Sequence, residues 1–167
     1  PRSISLGDGI EEAALKALSK PYPLGVAPAE TRFLTVAVDV QSHRFVVHVD
    51  AWGPGLERWL IDRVEIAMPP EDAPGAGKRS IDPARYFEDW HVLPPLLETA
   101  YRVTDSEFGL RPVAMIIDSG GTAGVTEKAY QFYRDQRAAG NGRRVFLNKG
   151  QGGLDRDRAR HGEPEKI

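Results

Sequence analysis

The chain has no cysteine. This excludes disulfide bonds, thiolate zinc sites and a cysteine nucleophile. No apolar run approaches the roughly 20 residues that a membrane-spanning helix needs, so we expect no membrane among its partners. The N-terminus shows no signal-peptide pattern. Because the sequence starts at Pro1 rather than at Met, we expect a processed product or an excised domain.

A strong charge of either sign is also missing. The formal net charge is −2, so the chain lacks the basic footprint that is typical of nucleic-acid-binding domains. An acidic metal site lowers the net charge, however, and a larger parent protein could carry the basic surface. With 167 residues, of which 41% are hydrophobic and 28% charged, the chain can form one compact domain with its own core.

The pattern of apolar residues predicts a mixed α/β domain. The first three predicted strands form an antiparallel meander with a tight hairpin at Gln41-Ser42-His43. In chain order the predicted elements are strands 34–40, 44–51 and 56–66, a helix over 83–102, a strand over 112–118, a helix over 122–138 and a strand over 144–148. Pro94 and Pro95 interrupt the first helix or mark the start of its second part.

Segments around these elements set the predicted domain boundaries. Residues 1–31 are predicted to form a linker or N-terminal arm, with one short helix at 10–18. Residues 32–150 form the domain, and within it 67–83 predict a mobile loop because they are rich in proline and glycine. Residues 151–167 are rich in glycine and charge and predict a disordered tail.

The element order βββ-α-β-α-β predicts how these pieces assemble. A three-strand meander followed by right-handed crossovers gives a mixed sheet, with parallel strands added to the meander and with flanking helices. This is the element order of the ribonuclease H-like fold. In that architecture the first and fourth strands of the chain lie side by side.

Two aspartates end apolar strands that would be neighbours in this sheet. Asp39 follows Leu34-Thr35-Val36-Ala37-Val38, and Asp118 follows Val113-Ala114-Met115-Ile116-Ile117. Both runs predict buried strands, where an ionised carboxylate is costly unless it is paired or binds a cation. The pair therefore predicts a divalent-metal site. Turn or helix capping is the structural alternative, above all for Asp118, which Ser119-Gly120-Gly121 follows.

The metal that such a pair predicts is Mg²⁺ or Mn²⁺, because both prefer hard oxygen ligands. Carboxylates can hold two ions about 4 Å apart, one to generate a hydroxide and one to stabilise the leaving oxygen of a phosphodiester. The adjacent Gly120-Gly121 allows close approach of the backbone to a phosphate, although a simple strand-to-helix turn explains it as well.

Four segments resemble signatures of one family, the lambda-type, GpA-like phage terminase large subunits. Residues 34–41 resemble its LTxGVDVQ segment and residues 51–62 its GWGxGxExWLID segment. Residues 116–121 resemble IDSGG, and residues 143–150 resemble RVFxxKG. The segments occur in the family's order and span roughly residues 30–150.

The resemblance implies the C-terminal endonuclease domain of a viral DNA-packaging motor, with a ribonuclease H-like fold and a metal-dependent acidic cluster that cuts concatemeric double-stranded DNA. It assigns Asp39 and Asp118 as catalytic and metal-binding residues. The family's third acid lies in a segment resembling GVDxxK, which is not found here. Asp155 and Asp157 fit a solvated tail better than that role.

The resemblance also implies partners and a location. The partners are double-stranded DNA, the terminase small subunit, the portal and the ATPase domain of the same parent chain. The location is the host cell cytoplasm, for a phage or prophage protein. No G-x-x-x-x-G-K-[ST] phosphate loop is present, so this chain is not expected to hydrolyse ATP.

Several other residues are candidates for DNA contact, for metal binding or for the core. Lys149, Arg143 and Arg144 are predicted to contact DNA phosphates, against the simpler interpretation of solvated loop residues. His43 lies near Asp39 in sequence but is more typical of a surface turn. His48 shows no ligand spacing. Glu57 and Asp62 are predicted to face the solvent. Trp52, Trp59 and Trp90 are predicted to pack in the core.

Two functions from other classes remain open. The segment 118–122 is similar to a phosphate-binding turn of actin- or hexokinase-type nucleotide-binding domains. A catalytically silent module that binds DNA or the portal fits the same residues. Metal affinity separates the nuclease from the silent module, and ATP affinity would favour the nucleotide-binding domain.

Overall fold

A computed structural model describes residues 22–120 and 123–150. The predicted helix at 10–18, the predicted tail with Asp155 and Asp157, and residues Gly121 and Thr122 lie outside the described residues. Among the residues that are described, no helix is long and apolar enough to cross a bilayer.

The described part contains eight strands and one α-helix, with short 3-10 helices between them. The strands are β1 (Val26–Ala27), β2 (Phe33–Gln41), β3 (Arg44–Trp52), β4 (Arg58–Ile66), β5 (Tyr101–Val103), β6 (Gly109–Leu110), β7 (Pro112–Asp118) and β8 (Val145–Asn148). The α-helix α1 spans Val125–Ala138, and the 3-10 helices span Pro54–Leu56, Phe87–Val92 and Pro94–Leu97.

The main sheet has five strands in the order β4-β3-β2-β7-β8. Strands β2, β3 and β4 form an antiparallel meander, while β7 lies parallel to β2 and β8 parallel to β7. The predicted mixed α/β fold is confirmed, including the placement of the first and fourth predicted strands side by side. The order and directions of the strands are those expected of a ribonuclease H-like sheet.

Alternation along β2 divides the sheet into two faces. Every second side chain is buried: Leu34, Val36, Val38 and Val40. Helix α1 and the 3-10 helices Phe87–Val92 and Pro94–Leu97 pack on that face, where the fully buried ring of Trp90 contacts Phe45 and Phe132 with centroid distances of 5.4 and 5.6 Å. We call the opposite face, which no described helix covers, the open face. Asp39 lies on it.

Three short strands form a second sheet that the sequence did not predict. Its order is β1-β5-β6, and β1 and β5 pair in parallel through Val26 and Ala27. These strands contain only two or three residues each. Such lengths are too short for the period-2 alternation that reveals a strand.

The helix predicted over residues 83–102 is wrong. The chain there forms two 3-10 helices, Phe87–Val92 and Pro94–Leu97, and then β5. Pro94 and Pro95 explain the difference, because proline has no N–H for an interior helical bond and its ring clashes with the preceding turn. The apolar spacing was nevertheless informative, since Trp90, Leu93 and Leu97 are all buried.

The predicted loop over 67–83 contains neither helix nor strand, but its last part packs against the domain rather than moving freely. Ile81 is fully buried, and its N–H donates to Ala67 O at 2.9 Å. Arg79 donates two hydrogen bonds of 2.7 Å to Asp89, a fully buried carboxylate. The segment is therefore held by both apolar and ionic contacts.

Tryptophan packing agrees with the sequence prediction at two positions. Trp59 and Trp90 are buried in the core. Trp52 is only half-buried; it stacks on Phe33 with a centroid distance of 6.0 Å, and its Nε1–H donates to Thr35 Oγ1 at 2.8 Å.

Candidate active site

Asp39 and Asp118 end two neighbouring parallel strands. They are register partners across β2 and β7, so their backbones are separated by one strand spacing, about 4.8 Å. Parallel strands bring their carboxyl ends to the same edge of a sheet, where ligands of α/β folds commonly bind. The sheet therefore brings together two acids that lie far apart in the sequence.

Both aspartates are exposed, which corrects the expectation that they are buried. Residues of β2 and β7 are buried on only one face, and the two acids lie on the other. The desolvation cost that first suggested a cation therefore does not apply. What remains is the proximity of two negative groups, which a divalent cation would neutralise.

Each carboxylate has a local hydrogen-bond donor. Gln41 Nε2 donates to Asp39 Oδ2, and the backbone N–H of Gly120 donates to Asp118 Oδ1 at 2.9 Å. The second contact is the turn bond expected of an aspartate that begins a loop. Asp118 does not cap α1, however, because the N-cap position of that helix is Gly124.

Ser119 fixes the loop that follows Asp118. It is buried, and both its N–H and its hydroxyl donate to the backbone oxygen of Asn148, at 2.8 and 3.0 Å. Its own backbone oxygen accepts a 2.8 Å hydrogen bond from Thr126 Oγ1. Ser119 thus connects the ends of β7 and β8 to the first turn of α1.

A depression of about 200 Å³ contains the two acids. Two further polar residues line it, His48 on β3 and Asn148 on β8. The sequence reasoning missed both as site residues. Alternation from Phe45, Val47 and Val49 could have placed His48 on the open face. Asn148 becomes visible only when the β7–β8 register is known.

The described residues contain no group of three His, Cys, Asp or Glu side chains that could hold a metal ion. Asp39 and Asp118 form a pair of carboxylates rather than a complete acidic triad.

The predicted DNA-contacting residues are found at opposite ends of β8. Lys149 directly follows the strand, and its Cγ would lie 3.8 Å from a Cβ built at Gly120, so it borders the acidic pair. Arg143 is exposed and precedes the strand. The guanidinium of Arg144 donates to Glu98 Oε1 at 2.7 Å and to Leu97 O at 2.8 Å. The hydrogen bond from Arg144 to Glu98 lowers the pKa of Glu98.

His43 does not line the acidic depression. It borders a separate hollow of about 490 Å³. The other lining residues of that hollow are Arg79, Ser80, Asp82, Arg85 and Tyr86. Within it, Arg79 stacks over the Tyr86 ring at 3.8 Å.

Asp62 lies on β4 and Glu57 directly precedes that strand, and the two acids differ in exposure. Glu57 is exposed, as predicted. The solvent-facing role predicted for Asp62 is wrong, because this residue is half-buried and accepts a 3.1 Å hydrogen bond from the Tyr101 hydroxyl. Burial, aided by the charge of Asp62, raises the pKa of Tyr101 to about 12.

Comparisons with known proteins agree on one family. Residues 4–167 match the family described as terminase large subunit gpA, endonuclease domain. The chain is also similar to the terminase large subunit of Escherichia phage lambda, with 38% identity over 52 residues, which are 31% of this chain and 8% of that protein. The match thus spans only a small part of that relative. No solved structure gives a significant match.

Proposed function

Because this chain belongs to the terminase large subunit gpA endonuclease family, we propose that it cuts double-stranded DNA in a reaction that depends on Mg²⁺ or Mn²⁺ and on Asp39 and Asp118. The observation that carries the proposal is the register pairing of these two aspartates at the carboxyl edge of the sheet. In the parent terminase, the natural substrate would be concatemeric viral DNA. The small subunit, the portal and an ATPase domain would be its partners.

The donor set fits the proposed metal. Two exposed carboxylates supply hard, negatively charged oxygen ligands, as Mg²⁺ and Mn²⁺ prefer. When bound, such ions activate water and stabilise the oxygen that leaves phosphorus. Gln41 and the Gly120 N–H each bind one carboxylate oxygen. These two hydrogen bonds would orient the acids for a bound metal.

The surroundings of the acids suit a polymeric substrate. The pair is exposed on the open face, so nothing in residues 22–120 and 123–150 bars the approach of a nucleic-acid backbone. Lys149 at the border of the pair supplies a positive charge for a phosphate. Arg144 is held by Glu98 and Leu97, and we therefore assign it a structural rather than a DNA-contacting role.

The nucleotide-binding alternative receives less support from the geometry. A phosphate-binding turn needs free backbone N–H groups, but the N–H of Gly120 is already bound to Asp118 Oδ1. The silent-module alternative is favoured by one observation, the absence of a three-residue metal-binding group among residues 22–120 and 123–150.

Nicking of supercoiled plasmid tests the proposal. We expect Mn²⁺-dependent nicking by the wild type, and loss of activity in Asp39→Asn and Asp118→Asn, which keep the side-chain shape but remove the charge. Glu65→Gln is the matched control. This exposed carboxylate lies on the edge strand β4 and pairs with Arg63 and Arg44 instead. We expect its nicking rate to equal that of the wild type.

Two results would count against the nuclease. Undiminished nicking by both aspartate variants would show that the activity lies elsewhere. A wild type that binds DNA but has no affinity for Mn²⁺ and no activity would support the silent module.

A further inference from the structure

We propose that the side-chain oxygen of Asn148 is a third oxygen ligand of the metal site formed by Asp39 and Asp118. The inference rests on the proposed function and deepens it. It assigns a role to a residue at the end of β8 that sequence reasoning did not single out.

Strand register places the three side chains in one row. Asp39 pairs with Asp118, and Asp118 pairs with Asn148, across three successive parallel strands. Directly opposed residues in a sheet point to the same face. All three are exposed and line the same depression. The row therefore presents three oxygen-bearing side chains at one edge of the open face.

The spacing of the row matches the scale of a two-metal site. Neighbouring strands lie about 4.8 Å apart, and the ions of two-metal sites are about 3.5–4 Å apart. Asp118 occupies the middle strand, with Asp39 on one side and Asn148 on the other. Its carboxylate therefore lies between the other two oxygen-bearing side chains.

The backbone of Asn148 is fixed by hydrogen bonds, while its side-chain carboxamide has no hydrogen bond to a described residue. Its backbone oxygen accepts two hydrogen bonds from Ser119, at 2.8 and 3.0 Å. No described residue forms a hydrogen bond with its carboxamide. Asn141, the other asparagine of the chain, differs in this respect, because its Nδ2 donates to Gln136.

The chemistry of the carboxamide suits the third position. Asparagine carbonyl oxygens are accepted ligands of hard divalent cations, beside carboxylates and water. His48 lines the same depression, but imidazole is typical of softer metals, and the described residues form no three-membered group that includes it. An amide ligand explains how the site can work with two acids where three are expected.

Calorimetric titration of the whole chain with Mn²⁺, without DNA, tests this ligand. We expect Asn148→Ala to weaken Mn²⁺ binding about tenfold or to remove one bound ion, and Asn148→Asp to bind at least as tightly as the wild type, because a carboxylate replaces the neutral oxygen. Asn141→Asp is the control for added charge, and we expect it to leave Mn²⁺ affinity unchanged. Circular dichroism shows whether each variant is folded.

The outcomes separate this inference from the proposed function. If Asp118→Asn loses Mn²⁺ while Asn148→Ala binds it like the wild type, Asn148 is not a ligand and the nuclease proposal stands. If Asp118→Asn itself binds Mn²⁺ normally, the proposed metal site is contradicted, and so is the assignment of Asn148 as its ligand. If Asn148→Ala fails to fold, weaker binding by folded Asn148→Asp than by the wild type would overturn the assignment.

Discussion

Asp39 on β2 and Asp118 on β7 are register partners, and both carboxylates lie on the sheet face that no described helix covers. Their carboxylates thus lie close together on one exposed face, where hard oxygen ligands can meet a divalent cation. A divalent cation held by the pair would be within reach of a phosphodiester on the open face.

Gly120→Ala should weaken the metal site without unfolding the domain. A Cβ at this position would lie 3.1 Å from Asp118 Oδ1, which is tighter than an ordinary contact, so the carboxylate must move. We expect a several-fold loss of Mn²⁺ affinity in calorimetric titration. Gly150→Ala is the control, because nothing lies within 4 Å of its Cβ. Equal affinities in the two variants would contradict the steric explanation.

Asp89→Ala should destabilise the domain strongly. Asp89 is fully buried and accepts hydrogen bonds from Arg79 and from the N–H of Asp82, and the bond to Asp89 raises the pKa of Arg79. Removing one partner of such a pair costs about 3–5 kcal/mol, because the other charge is left without its partner. Urea unfolding measures this loss.

The matched control for Asp89→Ala is Glu98→Ala. Glu98 pairs with Arg144 and Arg111 but is more than half exposed, so we expect a much smaller loss of stability, because solvent screens exposed ion pairs. If the two variants lose the same free energy of unfolding, burial does not distinguish the two ion pairs.

Gly124→Ala should cost more stability than Gly140→Ala. The two glycines have almost the same positive φ, 90° and 89°, so the left-handed conformation costs both variants roughly 1–2 kcal/mol. Only at Gly124 would the new Cβ also meet a backbone atom, Ala84 O at 3.1 Å. Thermal unfolding should show the lower Tm for Gly124→Ala. Equal Tm values would show that Ala84 can move at little cost, and a lower Tm for Gly140→Ala would contradict the steric explanation.

Tyr101 should make the domain sensitive to alkaline pH. Its pKa is raised from an ordinary 10.0 to about 12 in the folded state, so the folded chain holds the phenolic proton more tightly than the unfolded chain does. The resulting stability is complete below pH 10 and is lost as the pH rises toward 12. Urea unfolding across this window should show a shallower pH dependence for Tyr101→Phe, and identical slopes would contradict the assignment.

Sequence patterns were sufficient for the main sheet and for the meeting of the two acids. The alternation in β2 and β3 and the order of the elements predicted the neighbouring strands that carry Asp39 and Asp118. The alternation of buried Leu34, Val36, Val38 and Val40 also indicates that Asp39 lies on the opposite face; the expectation of burial was wrong because it treated both runs as buried on two faces.

The missed features depend on contacts between distant parts of the chain. Strands β1 and β5 are too short to show a periodic pattern, and they form by pairing with each other. Asn148 joins the site only through the register of β8 against β7. The apolar spacing around Trp90 indicated a helix, but Pro94 and Pro95 restrict the chain to short 3-10 turns.

The most direct test of the account is a crystal of the protein soaked in Mn²⁺ and measured at a wavelength where manganese scatters anomalously. The account predicts an anomalous peak within coordination distance of both Asp39 and Asp118, and no such peak in Asp118→Asn crystals. Full-occupancy manganese elsewhere on the protein, with both of these carboxylates unliganded, would contradict it.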